Sequence, residues 1–180
     1  AEKRLDQASN LLYKAKNFDQ YLKAQNILLR IYAEREDNEQ INNTKEKLQD
    51  LVLKEGFELS AKTYYTLGIC ATYKNQLDIA LEYFQKSLAI GLAGDDKEDM
   101  CYAINGIAIA YFMMGRYADS LKEIYNLQVF FQVLPLTELK LSAQILNGAI
   151  LRKQERCDQA LEVFWDCYNT LREVKNMYMY

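Results

Sequence analysis

The sequence of 180 residues contains no histidine, only one proline and only seven glycines. Without histidine, the usual general base, zinc ligand and physiological pH switch are missing. So few prolines and glycines leave little room for the many turns that a strand-rich domain needs. Half of the residues are apolar, which is enough for a continuous core. The composition therefore favours an all-α protein.

The sequence also lacks a long apolar run and an excess of positive charge. It has no stretch of about 18 apolar residues, and its first twenty residues are too charged for a secretory signal. The net charge is -3, whereas a nucleic-acid-binding domain normally presents a basic face. We therefore expect no nucleic-acid partner, no membrane insertion and a cytoplasmic location.

The four cysteines form no C-x-x-C motif, and we expect them to be small core residues in a reducing compartment. No imidazole is available to activate a thiol or a hydroxyl, and no glycine-rich loop follows a predicted strand. The acidic run from Asp95 to Asp99 lacks the alternating order of a calcium loop, which favours a solvated connector. We therefore expect no enzyme activity, no cofactor and no metal site.

The clearest pattern runs from residue 61 to 94. Tyr64, Leu67, Gly68 and Ala71 fall at helical spacing, and a polar break at residues 74–76 follows. The pattern then resumes with apolar residues at Ala80, Leu81, Phe84 and Leu88. This spacing predicts two amphipathic helices that pack as a hairpin.

These residues resemble the tetratricopeptide repeat (TPR), a helix-turn-helix unit of about 34 residues with an aromatic-x2-Leu-Gly opening and a later Ala-x3-Phe. Similar copies cover 101–134 and 141–174, and Ala80, Ser120 and Ala160 recur every 40 residues. The longer step resembles the extended TPR subclass. The resemblance implies an all-α fold, an α-solenoid of antiparallel helix pairs with about nine helices. We expect Phe84 and Phe164 to be buried, with Gly68 and Gly148 at close helix approaches.

The first third of the chain is less regular. Residues 2–35 are interpreted as a degenerate repeat in which Ser9 takes the place of Gly68 and Tyr21 that of Ala80. Residues 36–60 are interpreted as an extra helix that begins after Asp37 or Asn38 and ends at Gly56. Alternatively, residues 1–15 are the second helix of a truncated repeat. In either case we expect residues 1–180 to be a single TPR-like domain, a fragment of a longer chain.

In this family the first helix of each pair lines a concave groove that binds a protein or a peptide. The resemblance implies that the groove positions of the three clear copies contact such a partner, with core packing as the alternative for each. These positions are Lys62, Tyr65, Ile69, Tyr73, Tyr102, Asn105, Ile109, Phe112, Ser142, Ile145, Ala149 and Arg152.

Family members that clamp the terminal carboxylates of a chaperone need Lys, Asn and Arg at set groove positions. This chain has Tyr65, Ile69 and Gly106 there instead, which disfavours a cochaperone. The sequence thus predicts a non-catalytic scaffold that acts as a regulatory adaptor. The alternative is a structural module that forms homo-oligomers through the solenoid ends or the tail NMYMY at 176–180.

Overall fold

The computed structural model of the chain describes residues 2–177, with side chains described up to residue 172. Over that range the chain forms nine α-helices and no strand, which confirms the all-α fold class and the expected number of helices. The helices are α1 (Glu2–Lys14), α2 (Phe18–Glu34), α3 (Asn38–Glu55), α4 (Ala61–Tyr73), α5 (Leu77–Ala93), α6 (Lys97–Met113), α7 (Tyr117–Phe131), α8 (Thr137–Lys153) and α9 (Cys157–Met177).

The chain divides into two compact units, one up to Gly106 and one from Ile107 onward, so the division falls within α6. The core of the first unit is built from α2, α3 and α4, where Leu29, Leu51 and Cys70 are fully buried. In the second unit, Leu127, Ile150 and Ala160 are buried on α7, α8 and α9. Among the described residues, no helix is long and apolar enough to cross a membrane.

Six of the helices end in the same kind of turn. One residue adopts a left-handed backbone, and the next backbone N–H donates to a carbonyl five residues earlier, as Gln76 does to Ala71 at 2.9 Å. This arrangement satisfies carbonyls that the end of a helix leaves unpaired. The left-handed residues are Lys16, Glu36, Asn75, Asp95, Gly115 and Glu155.

Side chains at the helix starts act as predicted from the sequence. The Asp37 carboxylate accepts the backbone N–H of Gln40 at 3.1 Å and begins α3, which ends before Gly56 in a left-handed conformation. Ser60 accepts the N–H of Thr63 at 3.2 Å and begins α4. These caps confirm both predicted ends of the helix in residues 36–60.

Two predicted boundaries require correction. The structure begins α6 at Lys97 and α8 at Thr137, about one turn before the repeats expected at 101 and 141. The Asp96 carboxylate accepts the N–H of Asp99 at 3.0 Å, so the acidic run caps α6 and enters it instead of forming an extended connector. The longer first helices account for a repeat of 40 residues.

Glycines bring helices together where the sequence predicted. A Cβ added to Gly68 would lie 2.5 Å from the ring of Phe84, and one added to Gly148 would lie 2.6 Å from the ring of Phe164. Phe84 is fully buried, as expected. Phe164 is only half-buried, because it lies against one glycine, whereas Phe84 also lies against Gly106.

Candidate functional site

A cavity of about 370 Å³ lies in the first unit, between side chains of α2, α4 and α6. Three residues predicted to contact a partner line it, namely Lys62, Tyr65 and Tyr102. The other lining residues are Lys23, Asn26, Ile27, Arg30, Thr66, Ser87 and Asp99. The first helices thus bring part of the predicted set together, in a cavity large enough for a few side chains of a ligand.

Two tyrosines form the aromatic wall of this cavity. The rings of Tyr65 and Tyr102 meet edge to face, with their centroids 5.5 Å apart. The ring of Tyr65 also packs against Phe84 with a centroid distance of 5.6 Å, so the buried core holds it in place. Burial, and then the proximity of Tyr102, raises the pKa of Tyr65 to about 12. The wall is therefore a neutral, rigid surface against which an apolar group can pack.

The rim of the cavity is mainly cationic. Lys23, Arg30 and Lys62 contribute three positive charges, and Asp99 contributes the one negative charge among the described lining residues. Burial, and then the proximity of Asp96, raises the pKa of the Asp99 carboxyl, whereas Lys62 acts in the opposite direction. In a chain with a net charge of -3, this rim is locally suited to anionic groups.

Asn26 supplies an amide at the bottom of the cavity. It is 7% exposed, and its Nδ2 donates to the Thr63 hydroxyl at 3.2 Å. Its Oδ1 is buried without a hydrogen-bond partner among the described residues. A buried carbonyl oxygen without a donor is unfavourable. A ligand that placed an N–H group here would therefore gain a favourable contact.

The other predicted residues of the first unit do not line this cavity. Ile69 is half-buried further along α4, and Tyr73 is 59% exposed near the end of that helix. Asn105, the amide expected to hold a peptide backbone, is 2% exposed. That burial favours the core-packing alternative for Asn105, whereas its contact with a partner stays a prediction.

The remaining predicted residues belong to the second unit. Ile109, Phe112, Ser142 and Ala149 are half-buried, and the ring of Phe112 packs against Tyr117 with a centroid distance of 5.7 Å. The more accessible ones are Ile145, which is 47% exposed, and Arg152. Their role in binding a partner stays a prediction.

Sequence reasoning missed the contribution of α2. Lys23, Asn26 and Arg30 precede Lys62, Tyr65 and Ile69 by 39 residues, which is also the distance between the left-handed turns at Glu36 and Asn75. The groove positions carried back by one step therefore fall on α2. This agrees with the alternative in which α2 is a first helix and α1 is the second helix of a truncated repeat.

The family model for the tetratricopeptide repeat matches residues 59–124, which include α4, α5, α6 and part of α7. Comparisons with curated proteins and with solved structures give no match. The family match therefore begins two residues before α4 and includes Lys62, Tyr65 and Tyr102 of the cavity.

Proposed function

The chain is a tetratricopeptide repeat protein over residues 59–124, and we propose that it is a non-catalytic adaptor that binds a peptide segment of a partner in the cavity of α2, α4 and α6. Tetratricopeptide repeats generally mediate protein–protein interactions. The observation that carries the proposal is the presence of Lys62, Tyr65 and Tyr102 in one cavity with a cationic rim. A cytoplasmic location belongs to the proposal, supported by four free thiols.

The chemistry of the cavity indicates what the segment contains. An aromatic or aliphatic side chain would pack between Ile27, which is 50% exposed, and the tyrosine wall. Carboxylates on either side would lie near Lys23 and Lys62. Interface energy tends to concentrate in a few such aromatic and cationic residues. The ligand is therefore a segment with acidic residues around an apolar one.

Selection of peptides from a random library on the immobilised chain would test this proposal. Calorimetric titration of an enriched peptide would then compare the parent with Ile27→Ser and Lys62→Glu, two changes at exposed positions of the cavity. We expect each variant to bind at least tenfold more weakly, because each removes one kind of contact.

Leu11→Ser is the matched control, because Leu11 is an exposed apolar residue of α1 outside the cavity, with 67% exposure. It should bind the peptide like the parent. Equal affinities for the parent and both cavity variants would overturn the proposal. Circular dichroism melting of all four proteins would show that the differences do not come from unfolding.

A specific observation supports self-assembly as a second candidate function. Leu161, Trp165, Tyr168 and Leu171 lie along one face of α9 and are each at least half exposed, and the rings of Trp165 and Tyr168 are stacked with centroids 5.5 Å apart. An apolar stripe of this kind is typical of a surface that another helix covers. The tail at 176–180 was the other predicted contact, and its side chains lie outside the described residues.

Sedimentation equilibrium over a range of concentrations would test self-assembly. If α9 mediates it, the parent should form dimers that Trp165→Ser weakens at least tenfold and Leu11→Ser does not. A parent that stays monomeric at high concentration, or dimers that are insensitive to Trp165→Ser, would exclude this role of α9.

A further inference from the structure

A second groove in the first unit lies between α3 and α5, away from the cavity of α2, α4 and α6. Its volume is about 540 Å³. The buried side chains of Leu48 and Leu67 contribute to its lining, together with the exposed side chains of Val52 and Leu53. Leu53 is 81% exposed. Two adjacent exposed aliphatic residues beside an apolar groove are characteristic of a docking surface.

Two lysines and two tyrosines form the other side of the groove. The rings of Tyr64 and Tyr83 lie 6.4 Å apart. The Lys86 ammonium lies over both rings, 5.9 Å from Tyr64 and 6.0 Å from Tyr83, and the Lys45 ammonium lies 5.5 Å from the Tyr83 ring. The described residues that line the groove include both lysines and no carboxylate. The groove is therefore apolar with a cationic edge.

We propose that this groove binds an amphipathic α-helix of a partner protein whose apolar stripe is flanked by acidic side chains. The apolar stripe would pack on Leu48, Val52 and Leu53. The acidic side chains would pair with Lys45 and Lys86. This binding site is independent of the proposed function, because none of these residues lines the other cavity.

The chemistry of the groove favours a helix over an extended peptide. An extended peptide needs hydrogen-bond partners for its backbone, and a mainly apolar groove offers few of them. A helix satisfies its own backbone and can lay its apolar face into a groove between two helices. Lys45 and Leu53 are eight residues apart on α3, which corresponds to about 12 Å or two helical turns. The groove therefore fits a short segment of a helix.

The charge of Lys45 provides a second reason for an acidic ligand. Burial lowers the pKa of Lys45, and the nearby Lys74 acts in the same direction. A carboxylate placed beside Lys45 would stabilise the ammonium form and reverse this effect. A partner with lysines at the same positions would instead bring like charges together.

Two labelled helical peptides would test the proposal by fluorescence anisotropy. Both carry leucines along one face, and the flanking residues are glutamate in one peptide and lysine in the other. We expect the glutamate peptide to bind the parent at least tenfold more tightly. Leu53→Ser should weaken its binding at least tenfold, and the double variant Lys45→Glu with Lys86→Glu should reverse the preference between the two peptides.

Leu11→Ser and Ile27→Ser are the controls. Both should bind the glutamate peptide like the parent, since Leu11 lies on α1 and Ile27 lies in the other cavity. Equal binding of the two peptides, or binding that depends on Ile27 and not on Leu53, would overturn the proposal. A homodimer of the parent that Leu53→Ser dissociates would also overturn it, because the groove would then bind a second copy of the chain.

Discussion

The ring of Phe84 occupies the space in which Gly68 has no side chain. A Cβ built on Gly68 would lie 2.5 Å from Cε1 of that ring, closer than Cβ atoms approach other atoms in real structures. Because Phe84 is fully buried, its ring has little room to move away. The spacing of Gly68 and Phe84 therefore couples α4 to α5 through one contact between backbone and ring.

Gly68→Ala should lower the free energy of unfolding by about 1 to 3 kcal/mol, because the added methyl group overpacks the contact with Phe84. The double variant Gly68→Ala with Phe84→Leu should lose less than the sum of the two single variants, since a smaller side chain makes room for the methyl group. Urea denaturation measures all three. Gly94→Ala is the control, because a Cβ there lies 3.5 Å from its nearest neighbour; additive losses would contradict the coupling.

Phe84→Ala should cost about 3 to 5 kcal/mol, the range found for fully buried aromatic residues. Phe164→Ala should cost clearly less, because Phe164 is only half-buried and lies against Gly148 alone among the described glycines. Urea denaturation of both variants gives the comparison. Equal losses would show that the two rings are equally important despite their different burial.

Much of the fold could be predicted from the sequence, because the same residues recur at the same places. Gly68 and Phe84 are 16 residues apart, as are Gly148 and Phe164, and a close approach needs a small residue and a large one at this spacing. At the same spacing in α1 and α2, Ser9 accepts a hydrogen bond from Gln25. This polar pair in the core explains why the first repeat looked degenerate.

The candidate site was only partly predictable. Lys62 and Tyr65 could be predicted because α4 carries the clear repeat pattern, whereas Lys23 and Arg30 lie on α2, whose place in its repeat was ambiguous. The position of the helix ends would have resolved it, since Glu36 takes the left-handed turn that Gly115 takes later. A glutamate in this conformation gives little signal in a sequence, because any single residue can adopt it at a modest energetic cost.

Glu155→Gly should raise the free energy of unfolding by about 0.5 to 1 kcal/mol, because Glu155 adopts a φ of 62° that glycine tolerates without a steric penalty. Glu162→Gly, an exposed position in the middle of α9, is the matched control and should instead cost about 1 kcal/mol. Thermal melting compares the two. A loss of stability in Glu155→Gly would show that its left-handed conformation carries no strain.

Reagents that attack thiolates should find one reactive cysteine in the folded chain. Cys157 is exposed at the start of α9, contrary to the expectation that all four cysteines are core residues. Burial raises the pKa of Cys70 and of Cys101 to about 11 and also raises that of Cys167. At pH 8, Ellman's reagent should therefore modify one thiol rapidly and the other three only after unfolding. Cys157→Ser should abolish the rapid phase; a second rapid thiol would contradict the burial of the others.

Tyr65 should make the folded chain sensitive to alkali. Burial, and then Tyr102, raises its pKa from 10.0 to about 12, so the folded state holds the phenol proton more tightly than the unfolded state does. The stabilisation is complete below pH 10 and is lost as the pH rises to 12, because the unfolded chain then ionises first. On the order of 1 to 3 kcal/mol is lost over this interval. Tyr65→Phe should lose less stability than the parent between pH 10 and 12 in urea denaturation, and parallel curves would show that Tyr65 ionises normally in the folded chain.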